Sequence, residues 1–268
     1  MDKKTANLSV PDYVDYLQSR GRYTFSTAEC YQKLSQSKDA IRVALSRLSR
    51  KGRIEAVKKG FYVIVTLEYQ SAGCLPAEWF IDDLMRYLNQ PYYVGLLSAA
   101  EIFGAAHQRP QIFQVVTDTQ TNPVDVARVA IEFHTVKTID ALPRQQENTR
   151  TGTMSVSTPE LTAYDLFRFP DAAGGLDNIA TVLSELSERL EEKELKRVAG
   201  LMPYHSVIQR FGYIMDSLGK SDLVGPLAEW LARRHPSRVK LHPGMDYSSG
   251  QRNRKWEVIV NYQLEPDP

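Results

Sequence analysis

The sequence predicts an α+β protein: an N-terminal winged helix-turn-helix over residues 1–70, followed by a larger mixed α+β domain over 76–268. Three observations predict it. Residues 1–70 carry 13 Lys and Arg against 7 Asp and Glu and the rest of the chain 20 against 25, so a net charge of +1 conceals a basic head and an acidic body. The first 65 residues read in the order helix, helix, turn, helix, hairpin. Beyond Pro76, helical and strand patterns mix without an internal repeat.

The first helix is expected over Val10 to Gln18, where Val10, Tyr13, Val14 and Leu17 have the i, i+3, i+4, i+7 spacing of a buried face and Gly21 ends the pattern. Ser26 or Thr27 can cap a second helix through Tyr31 and Leu34, and Ser35-Gln36-Ser37 breaks the pattern and offers a new cap. The third helix places Ile41, Ala44, Leu45 and Leu48 on one face, leaving Arg42, Ser46, Arg47 and Arg50 on the sides and the opposite face; Gly52 closes it. Ile54 to Val57 and Phe61 to Val65 then read as two strands about Lys58-Lys59-Gly60, a hairpin with lysines at its tip.

After a linker near Gln70 to Leu75, Pro76 can open a helix over Ala77 to Leu88 that buries Trp79, Phe80 and Leu84, and another is expected over Val94 to Phe103. Ile112 to Thr117, Val129 to Val136 and Thr153 to Ser157 look like short strands. Helices are then expected over Glu160 to Phe169, Leu176 to Leu190, Glu192 to Leu201, Ser206 to Leu218 and Leu223 to Arg234. Arg238 to Leu241 and Trp256 to Tyr262 are expected as closing strands.

The basic residues concentrate where a polyanion would sit. Ser37, Lys38, Arg42 and Arg47 occupy the part of the third helix that approaches base edges in a helix-turn-helix, with Arg42 foremost for base readout and Ser46 on the same face. Arg50, Lys51, Arg53, Lys58 and Lys59 are placed to neutralise phosphates. The partner implied is double-stranded DNA, with paired half-sites natural if two copies bind.

No enzymatic constellation stands beside this one, and no catalytic residue, metal or cofactor is expected. The stretch from Gly212 to Gly219-Lys220-Ser221 ends like a phosphate loop, but the spacer between its glycines is six residues instead of four and its apolar residues have helical spacing, so it reads as a helix ended by Gly219. Glu194-Leu195-Lys196 lies in alternating charge suited to a solvated helix. His107, His134, His205, His235 and His242 show no two-ligand helical spacing. Cys30 and Cys74 form no Cys-x-x-Cys pair, which fits a reducing cytoplasm. The lysines of the N-terminal segment are followed by no apolar run, and no stretch has the length of a bilayer span, so a cytoplasmic protein without membrane contact is expected. A second basic cluster, Arg238, Lys240, Arg252, Arg254 and Lys255, reads first as a solvated hairpin rim, with Trp256 on a strand.

At Lys59-Gly60-Phe61-Tyr62-Val63, at Tyr92-Tyr93-Val94-Gly95-Leu96-Leu97-Ser98-Ala99-Ala100-Glu101 and at Gly104-Ala105-Ala106-His107-Gln108, the chain resembles the AbiEi family of antitoxins. Ser157-Thr158-Pro159-Glu160-Leu161-Thr162-Ala163-Tyr164-Asp165-Leu166 and Gly174-Gly175-Leu176-Asp177-Asn178 extend the resemblance, which covers most of the chain up to about Leu201. It implies a bacterial type IV toxin–antitoxin locus. Such a protein represses its own operon through the winged helix and counteracts a cognate nucleotidyltransferase toxin without a stable complex. The motif residues are largely apolar, and packing is the first role expected of them. Two other readings stay open: a regulator whose second domain senses a ligand or partner, and a nucleic-acid-processing enzyme with a winged-helix tether.

Overall fold

The computed structural model describes residues 7–105, 110–246 and 250–265. Ser9 caps α1 (Val10–Ser19) in a reciprocal capping box with Asp12, and Val10, Tyr13, Val14 and Leu17 are buried as their spacing requires. A strand the sequence did not announce, β1 (Thr24–Ser26), follows. Ser26 ends it and caps α2 (Thr27–Lys33), accepting from the Glu29 amide. Ser37 caps α3 (Lys38–Arg50), whose buried line is Ile41, Leu45 and Leu48. The hairpin is β2 (Ile54–Lys58) and β3 (Phe61–Ile64), turned by Lys59 and Gly60 with Gly60 at φ 83°. β3 sits centrally, with β2 on one side and β1 antiparallel on the other, in register Thr24 to Val63 and Ser26 to Phe61. α1, Phe25, Cys30, α3, Ile54 and Ile64 share one core.

The expected helix over Ala77 to Leu88 is broken. A 3₁₀ turn, Ala77–Trp79, is followed by Phe80 at φ −133° and then α4 (Ile81–Leu88); Phe80 and Ile81 are buried, whereas Trp79 is only half-buried. The helix expected over Val94 to Phe103 is likewise shorter. Tyr92-Tyr93-Val94 are strand formers and make β4 (Tyr92–Val94), and Leu96 at φ 50° opens α5 (Leu96–Ile102), so helical backbone cannot extend back into it. The strands β5 (Ile112–Thr117), β6 (Val124–Val126) and β7 (Val129–Thr135) follow, β5 and β7 parallel and β6 antiparallel to β7. β8 (Arg144–Thr149) and β9 (Gly152–Ser157) are neighbours, and β4 pairs with β9 in parallel through Val94 and Val156.

The rest is helical as expected: α6 (Pro159–Arg168), α7 (Gly175–Leu186), α8 (Glu192–Ala199), α9 (His205–Ser217) and α10 (Ser221–Ala232). A small sheet closes it, β10 (Val239–Lys240), β11 (Gln251–Asn253) and β12 (Val258–Val260), with β12 in the middle. Trp256, expected on a strand, lies in the turn between β11 and β12 and is fully buried. Gly212 of α9 explains how it fits: a side chain at that glycine would overlap the Trp256 ring. By contact density the chain forms two compact units, one of residues 1–92, 111–137 and 146–155, the other of 93–110, 138–145 and 156–268. The protein is thus a mixed α+β fold.

Candidate nucleic-acid interface

α3 presents its basic residues because its apolar residues fix its roll. With Ile41, Leu45 and Leu48 buried, a rotation of about 100° per residue turns Arg42, Val43, Ser46, Arg47 and Arg50 outward, and all five are exposed. Ser37, expected at the interface, accepts from the Ala40 amide as the helix cap, and the Lys38 ammonium lies 5.5 Å from the centre of the Tyr31 ring. Arg42 is drawn to the flank: its Nε donates to Tyr31 Oη at 3.2 Å and its Nη1 to Asp39 Oδ1 at 3.3 Å. Lys51, the residue following the helix, is exposed.

The hairpin divides its cations. Lys59 is exposed, and its turn is braced: Tyr87 Oη donates to the Lys59 carbonyl at 3.0 Å and the Thr27 amide to the Gly60 carbonyl at 2.9 Å. Lys58 turns away from the tip, its ammonium donating to the carbonyls of Asn122 at 2.7 Å and Pro123 at 3.2 Å, and burial lowers its pKa. Arg53 is ion-paired with Asp15. Between α2, α3 and the hairpin runs an open groove of about 890 Å³ that gathers Arg42, Ser46 and Arg50 on one wall with Lys59 and Tyr62 on the other. Of the ten residues predicted for the interface, Arg42, Ser46, Arg50 and Lys59 share the groove, Arg47 and Lys51 are exposed on the outer surface, and Arg53 and Lys58 are committed to protein partners. Sequence reasoning missed the groove tyrosines Tyr31, Tyr62 and Tyr87. Tyr31 and Tyr62 follow from helix and strand phase, but Tyr87 belongs to α4, which no local pattern ties to the hairpin.

The other motif residues build a buried polar network. Tyr93 Oη donates to Asp165 Oδ2 at 2.6 Å, and Arg168 Nη1 pairs with Asp165 Oδ1 at 3.0 Å. Burial pushes the fully enclosed Asp165 carboxyl up to about 6, against the pull of Arg168 and of the Tyr93 hydroxyl. Ser157 and Thr162 hydroxyls meet at 2.6 Å, and Thr158 caps α6. Asp177 accepts from the Tyr262 hydroxyl and from the Glu265 amide, holding the last described segment. Ala106, His107 and Gln108 lie outside the described residues. The phosphate-loop-like stretch is the end of α9, with Gly219 at φ 76° beyond it. In the second basic cluster, Arg252 pairs with Glu257 at 2.6 Å, Lys255 with Asp216 at 2.8 Å, and Lys240 donates to the Met245 carbonyl. Both cysteines are buried, and burial pushes their thiols up to about 12. Among the described residues no three His, Cys, Asp or Glu group to hold a metal, and no helix is long and apolar enough to cross a membrane.

These features define an α+β protein with a cationic helix-and-hairpin surface in one unit and a densely hydrogen-bonded helical core in the other. Residues 93–217 match the AbiEi antitoxin C-terminal domain, in agreement with the resemblance that the Tyr92 to Asp177 motifs carry. The crystal structure of the RV2827C protein from Mycobacterium tuberculosis is similar over 96% of this chain and 94% of that one, with a TM-score of 0.62 at 16% identity, a likeness of fold. No curated protein shows significant similarity to the chain.

Proposed function

We propose that this chain is a DNA-binding antitoxin of a toxin–antitoxin pair, cytoplasmic and non-enzymatic. Its first unit acts as a winged helix-turn-helix that represses its own operon, and the AbiEi-type domain counteracts a cognate nucleotidyltransferase toxin without forming a stable complex with it. Residues 1–70 are the DNA-binding part and 76–268 the antitoxin part. The observation that carries the DNA half is the outward face of α3, where Arg42, Ser46, Arg47 and Arg50 point away from the core with Lys59 across the groove. In this reading Arg47 reaches base edges. Arg42, held at the flank, shares the groove with Arg50 and Lys59, where a phosphate backbone would be gripped on both sides. The toxin half rests on the family match.

Binding to the duplex upstream of its own gene, followed over a salt series, tests the first half. Arg47→Ala is expected to lower affinity by about 1–3 kcal/mol and relax specificity, whereas Lys59→Ala weakens all sequences evenly and flattens the salt slope by about one unit. Binding indifferent to both substitutions overturns it. For the second half, co-expression with the neighbouring gene should relieve growth arrest, and arrest that persists despite soluble antitoxin overturns that part. The regulator and enzyme readings gain no specific observation.

A further inference from the structure

One residue on the outward face of α3 is out of keeping with its neighbours. Val43 is 50% exposed, the one large hydrophobic side chain of α3 that points to solvent. At about 200° from Ile41 it stands opposite the buried line, in the N-terminal half of the helix. Asp39 and Arg47 lie one turn to either side, and Ser46 lies beside it. The fold gains nothing from it: a β-branched side chain lowers helix propensity, and its exposed surface is not removed from water. A single valine is too small for a protein-docking patch, and the ring of Arg42, Arg47 and Arg50 repels a basic partner while favouring a polyanion. On the edges of bases in the major groove the one apolar feature is the C5 methyl of thymine.

We propose that Val43 reads a thymine methyl and so sets specificity at one position of the DNA site. The inference rests on the DNA-binding reading above and adds the base that the centre of α3 selects. Arg47, one turn further along the same face, then addresses the neighbouring step.

The test uses the full chain and duplexes selected from a random library, followed by replacement of individual thymines with deoxyuridine, which removes the methyl and keeps the hydrogen-bonding edge. The wild-type chain should require thymine at one position and bind about fourfold more weakly when that thymine becomes deoxyuridine, the worth of roughly one buried methyl-sized group. Val43→Ala should bind both duplexes equally and keep the preferences at all other positions, with a melting temperature no lower than wild type, since alanine is the better helix former. If Val43→Ala retains the same thymine preference and the same deoxyuridine penalty, the inference fails while DNA binding stands. If the wild-type chain enriches no sequence, the DNA-binding reading fails and takes this inference with it.

Discussion

Asp165 has no exposure to solvent and two partners, the Tyr93 hydroxyl and the Arg168 guanidinium. Its carboxyl stands at about 6 in the folded protein against an ordinary value of 3.8, because burial outweighs both partners. Below pH 4 the group is protonated whether the chain is folded or not. Between the two values the unfolded chain has released a proton that the folded one keeps, so stability is lost as pH rises through 6, by up to about 3 kcal/mol for a shift of this size. Asp165→Asn should abolish that slope, so the stability difference between wild type and variant in urea unfolding changes between pH 4.5 and pH 7.5 in favour of the wild type on the acid side. A difference constant with pH refutes it. Glu29 behaves in the opposite sense. Burial pushes its carboxyl up, but hydrogen bonds from Arg22 and Tyr13 together hold it below the usual range, so its contribution is present above the ordinary carboxylate value and lost as pH falls through the folded value. Glu29→Ala, which leaves Tyr13 and Arg22 without their shared acceptor, is expected to cost about 2 kcal/mol at neutral pH, read from the denaturation midpoint, and to cost less in acid.

At the scale of elements, what the sequence reveals is the half of the fold that hydrophobic phase encodes. α1 and α3 were legible because each alternates a buried line with a polar face, and α3's roll then follows from Ile41, Leu45 and Leu48 alone. β8 was illegible for the complementary reason: Arg-Gln-Gln-Glu-Asn-Thr contains no apolar residue, and its strand conformation comes from its neighbour β9. β1 is three residues long and is made by its pairing with β3. The cationic surface was legible as to helix and charge sign, and not as to which cations are already engaged, because the partners of Arg53 and Lys58 lie 38 and 64 residues away in sequence. Two substitutions test element packing. Gly212→Ala forces a methyl from α9 into the Trp256 ring, a side chain that is fully buried with its indole nitrogen bonded to Asp216 at 2.6 Å; a loss of about 3 kcal/mol and a changed tryptophan emission are expected. Ser37→Ala removes the α3 cap and should cost about 1 kcal/mol, with Ser37→Asp restoring it; a cost that Asp does not restore means the hydroxyl serves something other than the cap.

For the whole molecule, charge and contact draw different boundaries. Charge changes sign near residue 70, whereas the first compact unit holds residues 1–92 and adds 111–137 and 146–155. Residues beyond 70 complete the basic segment. Thr24, only 3% exposed, donates to Asp83 at 2.5 Å, Lys58 donates to the carbonyls of Asn122 and Pro123, Tyr87 braces the Lys59 turn, and Tyr23 and Tyr69 pack edge-on against Trp79. A fragment of residues 1–70 keeps the shared core of α1, α2, α3 and the hairpin but loses every one of these partners. The buried Thr24 hydroxyl is then without its charged acceptor, which alone is worth about 1.5–3 kcal/mol. Amide hydrogen exchange of β1 and β3 in the fragment should therefore be at least about tenfold faster than in the full chain. Helix α3, whose buried residues Ile41, Leu45 and Leu48 belong to the core built within 1–70, should lose less protection than the sheet. Equal protection of the sheet in fragment and full chain would show that residues 1–70 fold as a self-sufficient unit and that the later segments only rest upon it.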